Sequence, residues 1–206
     1  MSKVIAVMSM SLDGFVADAN DGVAEVFDWN FSGDVELNVG GADAMTLKLS
    51  KASAEHFRAL SAELGAVVAG RRTFAVADGW GGNHAWGPAF VLCHQIPAGW
   101  PRPGSTVRFV TDGIESAIRQ AKAAAGAKSV AVHGADTIQQ LLNAGLVDEL
   151  QIDLAAVLLG SGVRLFEKLA HGPAVLGNPT AIQGVGVTHL RYPVRKATER
   201  ASEHGR

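Results

Sequence analysis

The stretch Ser129–Leu150, SVAVHGADTIQQLLNAGLVDEL, constrains the fold more than any other part of the chain. Val130 and Val132 are β-branched and stand in an apolar run, as a buried strand requires. Gly134 breaks that run, and Ile138, Leu141 and Leu142 follow at helical spacing. Gly145 stands where a helix takes its left-handed stop. Apolar and polar residues then alternate from Leu150 to Leu154, which is a half-buried strand. A glycine turn that opens a helix leaves unpaired N–H groups at the helix's positive end, which suits a phosphate. It is equally a plain strand-to-helix junction that needs a flexible residue, and this stretch alone leaves both readings open.

The rest of the chain repeats the alternation. Lys3 to Ser9 is an apolar first strand, Ser11–Gly14 a turn, and Phe15–Ala17 a short return. From Asp18 to Leu49 the composition shifts to Asp, Asn and Gly with Phe27, Trp29 and Phe31, which reads as a long irregular segment packed against something. Ser53 to Leu64 reads as a helix capped by Ser53 and ended by Gly65. Ala66–Ala69 is a buried strand running into Gly70, and Ala89–Cys93 and Ser105–Val110 are further strands around a Gly/Trp-rich loop at 79–88. Asp112 to Ala125 reads as a helix with an Asp112–Glu115 capping box and a stop at Gly126. Residues 155–166 read as a loop, Pro173–Ile182 with Val185–Val194 as a closing hairpin, and 195–206 as a disordered tail. Strands alternating with helices imply an α/β fold with a mostly parallel sheet, mixed by the terminal hairpin, in one domain spanning 1–194.

Composition narrows the function. With 206 residues, 48% hydrophobic and 18% charged, the chain can bury a core. A net charge of −2 exerts no pull on nucleic acid or acidic membranes, so neither is expected as a partner. The single cysteine, Cys93, rules out an internal disulfide and argues against a cysteine zinc site. With no signal segment and no run of about 18 apolar residues, a soluble cytoplasmic protein is expected.

A second strand–glycine–helix turn lies at Gly70-Arg71-Arg72-Thr73-Phe74. Guanidinium forks match phosphate oxygens, and the Thr73 hydroxyl stands beside free N–H groups; Arg71 and Arg72 are alternatively solvated surface charges. In a parallel sheet both turns fall at the carboxyl edge, where one dinucleotide can be held at two points. The usual dinucleotide fingerprint, phosphate-loop lysine motif, nucleophile elbow and zinc helix pair are missing.

In order, SLDGFVA (11–17), GRRTF (70–74), FVLCHQ (90–95), VHGADTIQQLLNAGLVDEL (132–150) and VLLGSGVRLF (157–166) resemble the dihydrofolate reductase-like superfamily. The similarity is to the branch containing the reductase domain of riboflavin biosynthesis and covers about residues 3–193. It implies a three-layer α/β/α fold, NADPH as hydride donor, and a pteridine or ribosylaminopyrimidine as small-molecule substrate. The activity implied is closest to 5-amino-6-(5-phosphoribosylamino)uracil reduction; the alternatives are a dihydrofolate or pteridine reductase, or an NADPH-binding protein without turnover. It also implies a homodimer.

By the same resemblance, Arg71 and Arg72 face the 2′-phosphate, and Gly70 and Thr73 hold the diphosphate. His133, Gly134, Ala135, Asp136 and Thr137 form the second phosphate turn with Ile138 beside it. Ser9, Val16 and Ala17 touch the nicotinamide, and His94 and Gln95 the adenosine ribose. Asp13 is the best-placed carboxylate for the proton that must accompany hydride, although SLDG is also a turn in which Asp13 bonds backbone N–H groups, and the structural role is preferred. Trp29, Phe31, Trp80 and Trp86 are candidates for stacking on a flat ring, or for stapling loops to the core. His84 and His133 lack partners in the sequence for a metal, and none is expected.

Overall fold

The computed structural model describes residues 2–40, 45–170 and 173–195. The chain begins with β1 (Val4–Ser11), β2 (Phe15–Ala17), α1 (Ala24–Phe27) and a 3-10 turn at Asp28–Phe31. It continues through β3 (Val35–Val39), β4 (Met45–Leu49), α2 (Lys51–Glu63), β5 (Leu64–Gly70) and α3 (Arg71–Val76). A second 3-10 turn, Asp78–Gly82, leads to β6 (Ala89–Leu92), β7 (Arg108–Val110), α4 (Ile114–Ala125), β8 (Ser129–His133) and α5 (Ala135–Asn143). The last elements are β9 (Glu149–Ala155), β10 (Val163–Arg164), β11 (Thr180–Gln183) and β12 (Val187–Pro193).

Eight strands form one sheet in the order β11-β12-β9-β1-β8-β5-β6-β7. The six from β9 to β7 are mutually parallel, whereas β12 runs antiparallel to β9 and β11 to β12. The period-2 geometry of a strand sends successive side chains to opposite faces. Val4 and Ala6 of β1, Ala66 and Val68 of β5, and Val130 and Val132 of β8 therefore join Ile118, Ala121, Ile138 and Leu141 of α4 and α5 on one face. Ile5, Val7, Val67 and Ala131 join Leu60 of α2 and Phe74 of α3 on the other. That is a three-layer α/β/α sandwich with the sheet buried on both sides, which is why the central strands read as unbroken apolar runs.

Several local readings need correction. Ser50, not Ser53, caps α2: its Oγ accepts the Ser53 N–H at 3.2 Å, which leaves Ser53 inside the helix and 1% exposed. Gly65 lies in β5, where a Cβ would meet the side chain of Lys128 at 2.8 Å. The Asp112–Glu115 capping box does not form; Gly113 is the cap residue, and Asp112 Oδ2 accepts instead from Ser116 Oγ at 2.7 Å. Residues 18–49 are not irregular throughout. They carry α1, a 3-10 turn and the β3–β4 hairpin, beneath which Trp29, Leu47, Leu49, Ala54 and Val187 make a third apolar cluster. The 155–166 segment contains β10, paired with β2. Gly145, at φ 66°, ends α5 as read, with Leu146 N–H bonded to the Leu141 carbonyl. The tail expected over 195–206 lies outside the described residues except for Arg195, whose N–H donates to the Val175 carbonyl.

Candidate active site

The carboxyl ends of the parallel strands open into one cavity of about 1180 Å³. Its centre is built by two turns that need each other. β5 ends at Gly70 and β8 at His133–Gly134, on adjacent strands. A Cβ on Gly134, at φ +93°, would lie 2.3 Å from Thr73 Oγ1, and a Cβ on Gly70 would lie 2.7 Å from Thr137 Oγ1. Each turn's glycine is the space occupied by the other turn's threonine. Because Gly134 offers no side-chain cap, the first N–H groups of α5 take no partner among the described residues and lie beside both hydroxyls. Arg72 is ion-paired with Asp21. Arg71 makes no ion pair among the described residues and lies beside Cys93, whose thiol burial pushes up.

Ser9, Val16, Ala17, Gly70, Arg71, Arg72, Thr73, His94, His133, Gly134, Ala135, Asp136 and Thr137 all line this cavity, as do Trp29, Phe31, Trp80 and Trp86. Two expectations are corrected. Gln95 is exposed and outside the lining, because the chain has left the sheet edge by then. Ile138 is 1% exposed and packs in the core, as the first inward position of an amphipathic helix must. Asp13 takes the structural role preferred from the sequence: outside the cavity lining, it ties the 157–162 loop down, with Oδ1 accepting from Ser11 Oγ (2.6 Å) and Leu159 N–H (3.1 Å), and Oδ2 from Gly160 N–H (2.7 Å). The Ser11 hydroxyl and these backbone donors hold its carboxyl down to about 2, so it carries no proton to give at neutral pH.

The tryptophans divide in role. Trp29 is buried, with Nε1–H donating to Ser9 Oγ at 3.1 Å, and Trp86 Nε1–H donates to Ser61 Oγ at 2.9 Å, so both are stapled as well as facing the cavity. Trp80 packs edge-on against Phe74 and His84, while Phe31 is 52% exposed at the rim. His133 packs with its ring tilted against those of His84 and Trp86, at centroid distances of 5.5 and 5.3 Å. Its Nδ1–H donates to the Val7 carbonyl at 2.8 Å, which leaves Nε2 as an acceptor. Burial holds His133 below its ordinary pKa, and burial followed by the neighbouring His133 takes His84 down to about 3, so both rings are neutral.

The sequence reading missed a polar cluster at the other end of the cavity. Asp153 and His189 are directly opposed on β9 and β12, and His189 Nδ1 donates to Asp153 Oδ1 at 2.7 Å. His189 Nε2 is 2.9 Å from Ser53 Oγ, which also accepts from Ser50 Oγ at 3.0 Å. Gln151 Nε2 donates to Asp153 Oδ1 at 3.2 Å, and His56 stacks on His189 with centroids 4.5 Å apart. Burial first, then the neighbouring His189, pushes the His56 pKa down. The available signals were weak: Gln151 and Asp153 at i, i+2, and Ser53 and His56 at i, i+3, each share a face. Nothing local says that α2, β9 and β12 meet.

A family model described as the RibD C-terminal domain matches residues 2–203. The chain belongs to the RibD C-terminal domain family. Among solved structures, a putative riboflavin biosynthesis protein from Shewanella sp. PV-4 is 24% identical, with 95% of this chain and 100% of that one covered and a TM-score of 0.63. A diaminohydroxyphosphoribosylaminopyrimidine deaminase/5-amino-6-(5-phosphoribosylamino)uracil reductase from Thermotoga maritima is 12% identical at TM-score 0.57, over 94% of this chain and 57% of that one. Dihydrofolate reductase from Enterococcus faecalis, complexed with NADP(H), is 11% identical at TM-score 0.56 over 94% and 97%. These likenesses establish the dihydrofolate reductase-like fold. No curated protein matches the chain. No helix among the described residues is long and apolar enough to cross a membrane.

Proposed function

We propose that this chain is an NADPH-dependent reductase that adds hydride to a C=N or C=O carbon of a small nitrogen heterocycle, most like the 5-amino-6-(5-phosphoribosylamino)uracil reductases of its family. The observation that carries the reading is the reciprocal packing of the two glycine turns. It sets the N-terminus of α5 beside the Thr73 and Thr137 hydroxyls, with Arg71, which makes no ion pair among the described residues, lining the same cavity. A diphosphate fits those N–H groups and hydroxyls, and a 2′-phosphate fits Arg71 together with His94 from the end of the neighbouring strand β6. Ser9, Val16 and Ala17 would support the nicotinamide, and the cavity volume accommodates a dinucleotide with a flat ring beyond it. When bound, the cofactor supplies hydride; the chain's residues bind, orient and exclude water.

One observation favours a second reading, a pteridine-type substrate. Among the described lining residues the lysines and arginines are Arg71 and Arg72 alone, both at the end of β5. Three strand spacings, about 14 Å, separate β5 from β9, so no such cation stands near Asp153. Trp29, Phe31, Leu47 and Phe57 wall that end instead. NADPH oxidation with 5-amino-6-(5-phosphoribosylamino)uracil, with its dephosphorylated form and with dihydrofolate tests both readings. Preference for the phosphorylated compound removes the pteridine reading, and no oxidation with any of them removes the reductase.

A further inference from the structure

We propose that Asp153 is the proton donor of this site and that His189 positions it through the Nδ1–Oδ1 bond, an inference that rests on the reductase reading above. Reduction of a C=N bond needs hydride at carbon and a proton at nitrogen, and Asp13, the carboxylate the motif suggested, is committed to the 157–162 loop. Of the two carboxylates on β9, Glu149 pairs with Lys3 and Arg191, and Asp153 lines the cavity beside β1, whose Ser9 and Met8 line it too. Both Asp153 and His189 line the cavity, but the Asp153 side chain is 13% exposed and that of His189 1%, so Asp153 is the one open to what enters and His189 is placed to act through it.

Hydrogen bonding makes the two carboxyl oxygens unequal. Oδ1 accepts from both His189 Nδ1–H and Gln151 Nε2–H. Oδ2 takes no hydrogen bond among the described residues, so it is the oxygen left to carry a proton and present it. Behind it runs a directed chain: Ser50 O–H donates to Ser53 Oγ, Ser53 O–H to His189 Nε2, and His189 Nδ1–H to Asp153 Oδ1. The chain holds the imidazole in one tautomer and in one plane. Trp29, edge-on to His189 at 5.2 Å, and His56, stacked on it at 4.5 Å, fix that plane further.

As hydride reaches the carbon of the substrate C=N bond, the π pair moves to nitrogen, which takes the proton from Asp153 Oδ2. The resulting carboxylate keeps both donors on Oδ1 and regains a proton from water once product leaves. The titratable groups facing it are His189 from β12, His56 from α2 and His133 from β8, with Arg191 acting on His56.

The same three residues, His56, Asp153 and His189, bring potential ligand atoms within 4.8 Å of one another, which raises a metal site. Geometry goes against it. The imidazole planes are 24° apart and stacked, so their in-plane lone pairs run nearly parallel instead of converging, and both His189 nitrogens already have partners.

The test uses the full chain with dihydrofolate and the two aminouracils as probes, and measures binding without cofactor by tryptophan fluorescence as well as turnover with NADPH. Asp153→Asn should bind the probes within about threefold of wild type yet lose about 10²–10⁴-fold in kcat. Asp153→Leu should also weaken probe binding about tenfold, through the lost hydrogen bond. His189→Leu should lower kcat at least about tenfold at unchanged KM, and His189→Asn, whose amide still donates to Oδ1, should restore most of it. Turnover by Asp153→Asn within tenfold of wild type, or probe binding by Asp153→Leu equal to wild type, overturns the proposal alone. A wild type that binds NADPH but reduces none of the probes removes the reductase reading and the proposal with it.

Discussion

Gly134→Ala should be the most informative single substitution, because two separable penalties meet there. At φ +93° an L-residue sits in a region it rarely adopts, at about 1–2 kcal/mol. The new methyl group would also stand 2.3 Å from Thr73 Oγ1, and forcing an extra group into a packed site costs about 1–3 kcal/mol. Together these predict about 2–5 kcal/mol of lost stability, read as a lower midpoint in urea unfolding at unchanged m-value. The Thr73→Ala background separates the two. With Oγ1 gone, the nearest Thr73 atom is its Cβ at 3.5 Å, an ordinary contact, so only the backbone penalty remains. The double-mutant cycle should therefore show a coupling of about 1–3 kcal/mol. NADPH affinity should collapse in Gly134→Ala even where the protein stays folded, because the displaced Thr73 blocks the phosphate turn. A Gly134→Ala cost that is the same in both backgrounds would refute the reciprocal packing of the two turns.

Arg71→Ala should weaken NADPH about 10–100-fold and NADH less than twofold, whereas Arg72→Ala should do much less because Asp21 already holds Arg72; parallel titrations decide, and equal losses for the two arginines would contradict the assignment. Asp13→Asn should lower stability at pH 7 with little effect on turnover. Since the folded-state pKa is depressed from 3.8 to about 2, the carboxylate's contribution is full above about pH 4 and fades as pH falls towards 2, so the difference between variant and wild type in urea midpoints should shrink over that range. A stable, inactive Asp13→Asn would reverse its structural role.

The layers and the two turns were legible in the sequence because they are local. Period-2 apolar strands, Gly134 before an amphipathic helix, and Gly145 at its stop each carry their signal within a few residues. Helix starts were less so, since a polar residue at either of two nearby positions satisfies the same orphan N–H groups, and Ser50 took the role read for Ser53. That exchange matters, because it frees Ser53 to bond His189. Gln95 and Ile138 failed for a simpler reason: motif spacing places a residue near a site but does not say which face it presents. The Asp153–His189–Ser53 chain was illegible because it joins residues 36 and 136 positions apart across three elements. An antiparallel pairing register, which neither strand's own pattern specifies, puts Asp153 opposite His189.

Cofactor binding at the two turns can be read by a fluorescence titration of the protein with NADPH and with NADH, using Trp80 and Trp86 in the cavity wall as reporters. Saturable quenching by both is expected, with NADPH bound about 10–100-fold more tightly. Equal affinities would remove Arg71 from 2′-phosphate recognition, and no binding of either would leave the two glycine turns as architecture and contradict the reductase assignment.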